Sequence, residues 1–247
     1  MARLTRVSMR EGWETEARNW AYIARTPGAD HAHEEINRPA LLDLLPSRSH
    51  RVLDMACGEG RISRLLASLG HRVVGIDASP TMVRFAATHP AAPPTVLADA
   101  TALPFGEKAF DLVVAYMCLQ DVDDMPRAVA EAARVLDSAG RMCLAIPHPI
   151  NTAGAFRERD RAAPFVISGS YLERRRFSFT VERDGVRLTF HNEHRPMEVY
   201  IHALAAAGLL TETIREVGCP DQVAARDAES GRWQRIPLFL HLRAVKH

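Results

Sequence analysis

Between residues 51 and 146 short apolar runs alternate with helical patterns, and this rhythm limits the possible folds more than any other feature of the chain. "RVLDM" (51–55), "RVVGI" (72–76), "PTVLA" (94–98), "FDLVVA" (110–115) and "RMCLAI" (141–146) are rich in Val, Ile or Leu, as suits strands buried on both faces. Between them lie "EGRISRLLASLG", "SPTMVRFAATH" and "DMPRAVAEAARVLDSAG". In the last, Ala128, Val129, Ala132, Val135 and Leu136 form one apolar face at helical spacing, and Gly140 is expected to close the helix as its C-cap. Strands joined by helices build a parallel sheet through right-handed crossovers, a doubly wound α/β fold.

The flanks read differently. Residues 10–47 carry Trp13, Ala17, Trp20, Tyr22 and Ile23, then a Gly-Asp break and "PALLDLLP", consistent with two helices before the first strand. "FSFTVERDGVRLTF" predicts an antiparallel hairpin turning at Asp184-Gly185. "RPMEVYIHALAAAGLL" predicts a helix from Pro196 to Gly208, and "TETIREV" and "IPLFLHLRAV" two closing strands. The expected layout is a helical cap (1–48), the core (49–149), a small insertion after the fifth strand (150–194), and a C-terminal helix with closing strands of the core (195–247).

Charge and cysteine usage exclude some functions. A formal net charge of +1 gives no broad basic field for nucleic acid. No apolar run approaches the eighteen or so residues that span a bilayer, and "MARLTRVSMR" lacks the apolar middle of a signal peptide. The expectation is a cytoplasmic protein without membrane or nucleic-acid partners. Cys57, Cys118, Cys143 and Cys219 lie far apart with no metal-ligand spacing, so four buried reduced thiols and no metal are expected.

The loop in "VLDMACGEGR" (52–61) carries the chemistry. A Gly-x-Gly-x-x-Gly alignment puts Ala56, Gly58 and Arg61 at the three positions, so the dinucleotide pattern fails at two of them. There is no Gly-x-x-x-x-Gly-Lys loop. Asp54 ends the strand just before the loop, where a carboxylate repels a pyrophosphate and suits an ammonium group. The loop reads as built for a cationic, phosphate-free ligand.

At residues 50–146, and less specifically 190–245, the chain resembles class I S-adenosylmethionine-dependent methyltransferases of the small-molecule type, including those of bacterial quinone and natural-product pathways. The motifs are "DMACGEG" (54–60), the acid Asp77 in "VVGIDASPTMV", "ADATALPF" with Asp99 and Ala100, and the stretch after "FDLVVA" with Met117, Leu119 and Asp121. The resemblance implies a Rossmann-like, mostly parallel seven-stranded sheet, S-adenosylmethionine as cofactor, S-adenosylhomocysteine as product and no metal. It implies that Asp54 meets the cofactor's ammonium group and that Ala56, Cys57, Gly58 and Gly60 let the backbone approach. Asp77 and Ala78 would hold the ribose, Asp99 the adenine amino group, Met82 and Ala100 the two faces of the ring, and Met117 the region near the methyl. Read alone, Asp77 and Asp99 serve equally as N-cap or turn residues, since "DASP" and "DAT" can each open a helix.

Candidates for the acceptor side come from segments over the strand ends. His148 in "IPHPIN" follows the fifth strand and is expected near the methyl as an acid-base group, with Tyr22 as a second catalytic candidate. Trp20, Tyr116, Tyr171, His191 and His194 are candidate substrate contacts, each with core packing or a structural junction as its alternative. Arg174, Arg175 and Arg176 read most simply as a solvated face, with a clamp for an acidic substrate as the alternative. The chain lacks the Asn/Asp-Pro-Pro-Tyr/Phe sequence of nucleobase amino methylators, having "AYMCLQDV" there, and lacks a suitably placed catalytic Cys. The reading is methyl transfer to an O, N or electron-rich C atom of a small, aromatic or indole-like metabolite, by a monomer or homodimer. A non-catalytic cofactor-binding sensor and a nucleotide-dependent oxidoreductase are the alternatives.

Overall fold

The computed structural model describes residues 8–47, 51–183, 185–227 and 229–247. The first element is α1 (Met9–Arg25), which opens on a capping box: the Ser8 hydroxyl accepts the Glu11 N–H at 3.2 Å and the Glu11 carboxylate accepts the Ser8 N–H at 2.9 Å. A turn through Gly28, held at φ +80°, leads to a π-helical segment (Ala32–Asn37) that runs directly into α2 (Arg38–Leu44). Both helices expected ahead of the first strand are present, the second with a π-helical entry.

β1 (Arg51–Met55), α3 (Arg61–Ser68), β2 (Arg72–Asp77), α4 (Pro80–Ala87), β3 (Thr95–Leu97), β4 (Phe110–Tyr116) and α5 (Met125–Val135) then alternate. α4 starts where Ser79 accepts the Met82 N–H at 3.0 Å, with Pro80 in the first turn. β5 (Leu136–Pro147) begins earlier than the sequence pattern indicated. The expected C-cap at Gly140 is corrected: α5 stops at Val135, and Leu136 is already extended and pairs with Phe110 of β4. Gly140 is small for another reason, since a Cβ there would lie 2.8 Å from the Asp137 carbonyl oxygen and 3.2 Å from that of Asp111.

After β5 come α6 (Pro149–Ala153), a ribbon of β6 (Gly154–Phe156) and β7 (Phe165–Ile167), and the hairpin of β8 (Arg175–Arg183) and β9 (Val186–His194). The hairpin turns where expected, with Gly185 at φ +74°; Asp184 lies outside the described residues. α7 (Met197–Ala206), β10 (Leu209–Val217), α8 (Asp221–Arg226) and β11 (Phe239–Lys246) complete the chain. Gly208 follows α7 at φ +73°, the left-handed position that glycine adopts without steric cost.

Seven strands form one sheet in the order β10-β11-β5-β4-β1-β2-β3, and only β11 runs against the others. Alternate side chains feed two cores. Leu53, Val113, Ala115, Leu144 and Leu242 pack on one face with Val129 and Ala132 of α5 and Leu204 of α7. Val52, Leu112, Val114 and Cys143 pack on the other with Leu41 and Leu44 of α2 and Ile62 and Leu66 of α3. Each such Leu or Val contributes about 1.5–3 kcal/mol by leaving water. Chain order reverses between β1 and β4, and the crevice above their carboxyl ends is where an open α/β sheet offers a ligand site. No helix among the described residues is long and apolar enough to cross a membrane.

Candidate active site

A cavity of about 290 Å³ occupies that crevice. Its floor is the loop from β1 to α3, which turns through three left-handed residues: Ala56 at φ +55°, Gly58 at +58° and Gly60 at +85°. Ala56 thus takes the conformation that glycine adopts more cheaply, at roughly 1 kcal/mol of local strain. The Cys57 N–H donates to the Ile76 carbonyl at 2.8 Å, and its side chain packs where a Cβ on Gly75 would come within 2.9 Å of Sγ. Loop and second strand are therefore locked together.

Three carboxyls at the ends of β1, β2 and β3 face this floor. Asp54 is buried, accepts the Ser63 hydroxyl at 2.6 Å, and is pushed up to about 7 by burial, with the Ser63 hydrogen bond opposing and Asp77 adding to the rise. Asp77 accepts the Gly58 N–H at one oxygen and the Ser79 N–H at the other, both at 2.8 Å. Burial raises its pKa despite those bonds. Asp99 accepts the N–H and hydroxyl of Thr101 at 2.8 and 2.7 Å and lies 3.8 Å from the Arg10 guanidinium. Asp77 does not cap α4, since Ser79 does; Asp99 does make the turn contact open to a short acid. Crowded carboxyls facing a cavity are stabilised by a ligand that brings positive charge and hydroxyl donors.

The β4 side supplies the next wall. Met117 turns the chain at φ +53°, its N–H donating to the Ala145 carbonyl at 2.7 Å. The Tyr116 hydroxyl shares a 2.8 Å hydrogen bond with Nδ1 of buried His33 from the π-helical segment. Burial pushes His33 down to about 3, with Arg61 adding to the fall, so the imidazole is neutral; burial likewise raises the Tyr116 phenol. Beyond Met117, the fully buried Arg195 donates to the carbonyls of Leu119, Gln120 and Val122 at 3.1, 3.3 and 2.7 Å and pairs with Glu193. This guanidinium fixes the backbone on both sides of Asp121.

α1 and β9 roof the cavity. Trp13, Trp20 and Phe190 meet edge to face, with 5.9 Å between each pair of ring centres. Arg61 lies 4.9 Å over the Trp20 ring while paired with Asp30 at 2.8 Å. Glu14 of α1 accepts the Ser79 and Thr81 hydroxyls and the Thr81 N–H, which sets a carboxylate on the positive end of α4.

The cavity gathers Trp20, Asp54, Ala56, Cys57, Gly58, Asp77, Ala78, Met82, Asp99, Ala100, Tyr116 and Met117. Gly60 does not line it; its left-handed backbone caps α3 instead. Neither catalytic candidate reaches the cavity, which corrects both placements. His148 is the N-cap of α6: with Pro149 in the first turn its side chain folds back so that Nδ1 accepts the Ile150 N–H at 3.1 Å, while Nε2 lies 3.1 Å from Glu216 of β10. Tyr22 is 51% exposed, because α1 turns Trp20 inward and the residue two places later outward. Three substrate candidates are also placed elsewhere. His194 is buried between the Thr152 hydroxyl at 2.7 Å and the Tyr171 carbonyl at 2.8 Å; the Tyr171 hydroxyl accepts the Met197 N–H; and the His191 ring fills the space beside Gly12, where a Cβ would come within 2.8 Å of it. The sequence had not singled out Arg10, Trp13, Ser79 or Thr101 as lining residues. Trp13 and Trp20 are two helical turns apart, the one signal that pointed to a shared face.

Of the arginines read as solvated, Arg174 pairs with Glu193 and Arg176 with Asp123. All four cysteines are free and buried. Among the described residues, no group of three or more His, Cys, Asp or Glu side chains is arranged to hold a metal ion.

Comparison with known proteins completes the picture. A family profile described as a methyltransferase domain matches residues 53–144, the segment that supplies β1 to β5 and the three strand-end acids. Residues 53–144 thus carry a methyltransferase domain. The chain is 38% identical over 112 residues to a malonyl-[acyl-carrier protein] O-methyltransferase of Enterobacter lignolyticus, covering 44% of this chain and 45% of that protein. It is 37% identical over 108 residues to a demethylmenaquinone methyltransferase of Renibacterium salmoninarum, covering 43% and 45%. These matches span less than half the length of either relative. An S-adenosylmethionine dependent methyltransferase structure from Mesorhizobium loti superposes with a TM-score of 0.69 at 24% identity, over 84% of this chain and 96% of that one, which shows that the fold extends well beyond the methyltransferase domain.

Proposed function

We propose that this protein binds S-adenosylmethionine in the crevice above β1, β2 and β3 and transfers its methyl group to an O, N or electron-rich C atom of a small aromatic metabolite. The observation that carries the reading is the set of strand-end carboxyls Asp54, Asp77 and Asp99 around one cavity beside a left-handed loop. Asp54 would take the ammonium group, Asp77 the ribose hydroxyls through lone pairs left beside its two backbone bonds, and Asp99 the adenine amino group, with Met82 and Ala100 against the ring. The cofactor supplies an electrophilic methyl on a sulfonium sulfur. The protein has to hold the acceptor in line behind that methyl and keep water out, which is where most of the rate arises.

The acceptor class follows from the roof. Trp13 and Trp20 offer aromatic faces, and Asp121, Asp123 and Asp124 line the adjoining wall, so a planar neutral or cationic acceptor fits better than an anion. That disfavours a malonyl carboxylate, the acceptor in the name of one relative, and keeps a planar ring such as that of demethylmenaquinone, named for the other, within reach. The same acids disfavour the pyrophosphate of a nucleotide oxidoreductase.

Calorimetry with S-adenosylmethionine, followed by methyl-labelled cofactor and a panel of phenols, amines, indoles and quinols read by mass spectrometry, tests the reading. One tight site and a product heavier by one methyl are expected. Binding without any product would favour the sensor alternative, and no binding would remove the reading.

A further inference from the structure

Asp121 is the one acid of the cavity in which core, cap and insertion converge. It closes the turn after β4; Asn192 of β9 donates to one of its oxygens, Gln120 donates to the other at 3.0 Å, and the Trp13 indole N–H of α1 is turned toward it. The flanking carbonyls are held by buried Arg195, so the carboxyl has little freedom to swing away. It lines the same cavity as Trp13, Trp20 and Tyr116. Every one of these neighbours is a donor or a ring wall; the cavity side of the carboxyl is left for a ligand.

Resting on the methyltransferase reading, we propose that Asp121 is the catalytic base of the acceptor side, and that the acceptor is a planar compound methylated at a nitrogen or oxygen that carries a proton. The step balances. A lone pair of the acceptor N or O forms the new bond to carbon as the carbon–sulfur bond breaks and its electron pair stays on sulfur. The acceptor's N–H or O–H proton passes to Asp121 and leaves to solvent when the roof opens. A base is required only where the methylated atom loses a proton, and a carboxyl set against the acceptor wall suits an N–H or O–H that can hydrogen-bond to it before transfer.

The electrostatics fit a proton carrier. Burial outweighs the bonds from Asn192 and Trp13 and the charge of Arg195, and holds Asp121 up at about 8. The other titratable groups packed around it are Cys118 and Tyr200, both held protonated by burial, and Glu193, which is paired with Arg174 and Arg195. Asp121 therefore exchanges its proton in the range where an enzyme base is most useful.

Two readouts test the assignment. In the first, Asp121→Asn and Asp121→Glu are compared with wild type on the phenol, amine and indole panel, with S-adenosylmethionine affinity measured in parallel. Asp121→Asn is expected to lower turnover about 100-fold with cofactor affinity within about threefold, and Asp121→Glu to recover part of the loss. In the second, the Trp13 indole N–H resonance, assigned through Trp13→Phe, is followed from pH 5.5 to 9.5 without any acceptor. A titration near pH 8 that disappears in Asp121→Asn supports the proposal. A Trp13 resonance that does not titrate, or one that still titrates in Asp121→Asn, overturns it, as does turnover of Asp121→Asn within threefold of wild type. If wild type binds the cofactor but methylates nothing in the panel, the methyltransferase reading fails first and the proposal with it; if only the variant behaves as wild type, the proposal alone fails.

Discussion

The floor and the roof of the cavity are built on opposite principles. Asp54, Ala56, Gly58 and Asp77 lie within 24 positions of one another, and the backbone N–H groups of Gly58 and Ser79 hold Asp77. Trp13, Trp20, Asp121, Asp123, Phe190 and Asn192 come from three distant parts of the chain and meet through side chains. A floor fixed by backbone geometry suits one cofactor. A roof fixed by side chains from a cap helix and a hairpin can be reshaped for different acceptors without changing the sheet.

Perturbing each half separately sharpens that contrast, and the largest effect is expected where the two are joined. Arg195→Met removes the guanidinium that ties residues 119–122 to β9 and leaves part of the Glu193 charge uncompensated. A loss of about 3–5 kcal/mol in urea unfolding is expected; a loss below about 1 kcal/mol would mean that the junction is held by other contacts. Asp77→Ala strikes the floor alone, removing the acceptor of two backbone N–H groups and the carboxylate proposed for the ribose hydroxyls. Affinity for S-adenosylmethionine should fall about 100-fold by calorimetry, and unchanged affinity would undo the role of Asp77.

A smaller effect follows from the pH dependence of Asp54. Its folded pKa, about 7, lies above the ordinary 3.8, so the folded state favours the protonated acid. Stability from this group is complete below about pH 4, falls as pH rises toward 7 and is flat above it. Asp121, raised to about 8, acts in the same direction over the same window, while buried His33 and His241, held at about 3 and about 4, oppose it. The share of Asp54 is the difference between wild type and Asp54→Asn, whose Tm should fall less between pH 5 and 8 in differential scanning calorimetry. An equal slope in the variant would assign the effect to other groups. The smallest change is expected for His148→Ala: turnover within about threefold of wild type and a stability loss of about 1 kcal/mol, as for a lost helix cap. A tenfold fall in turnover at unchanged cofactor affinity would restore His148 to the chemistry.

What was legible in the sequence divides along the same line. The strand rhythm and "DMACGEG" located the sheet and floor because they depend on local spacing: a strand, a left-handed loop and a strand-end acid are all read within a few residues. The roof was not legible in that way. His148 follows the fifth strand, as a methyl-facing residue should, but Pro149 turns its side chain back onto α6. Tyr22 and Trp20 lie on the same helix, and only the packing of α1 against β9 and α4 decides which faces inward. Gly140 looked like a helix end because it follows the helical apolar pattern of residues 128–136, while it lies inside β5, where a Cβ would crowd the carbonyls of Asp137 and Asp111.

The central claim is that the carboxyls of Asp54, Asp77 and Asp99 form a site for a cationic sulfonium cofactor. Calorimetric titration of the protein with S-adenosylmethionine at pH 7, repeated in two buffers of different ionisation enthalpy, tests it most directly. The account predicts one site per chain and net proton release, as Asp54 ionises to meet the ammonium group. No binding at millimolar cofactor, or tighter binding of NADH than of S-adenosylmethionine, would contradict it.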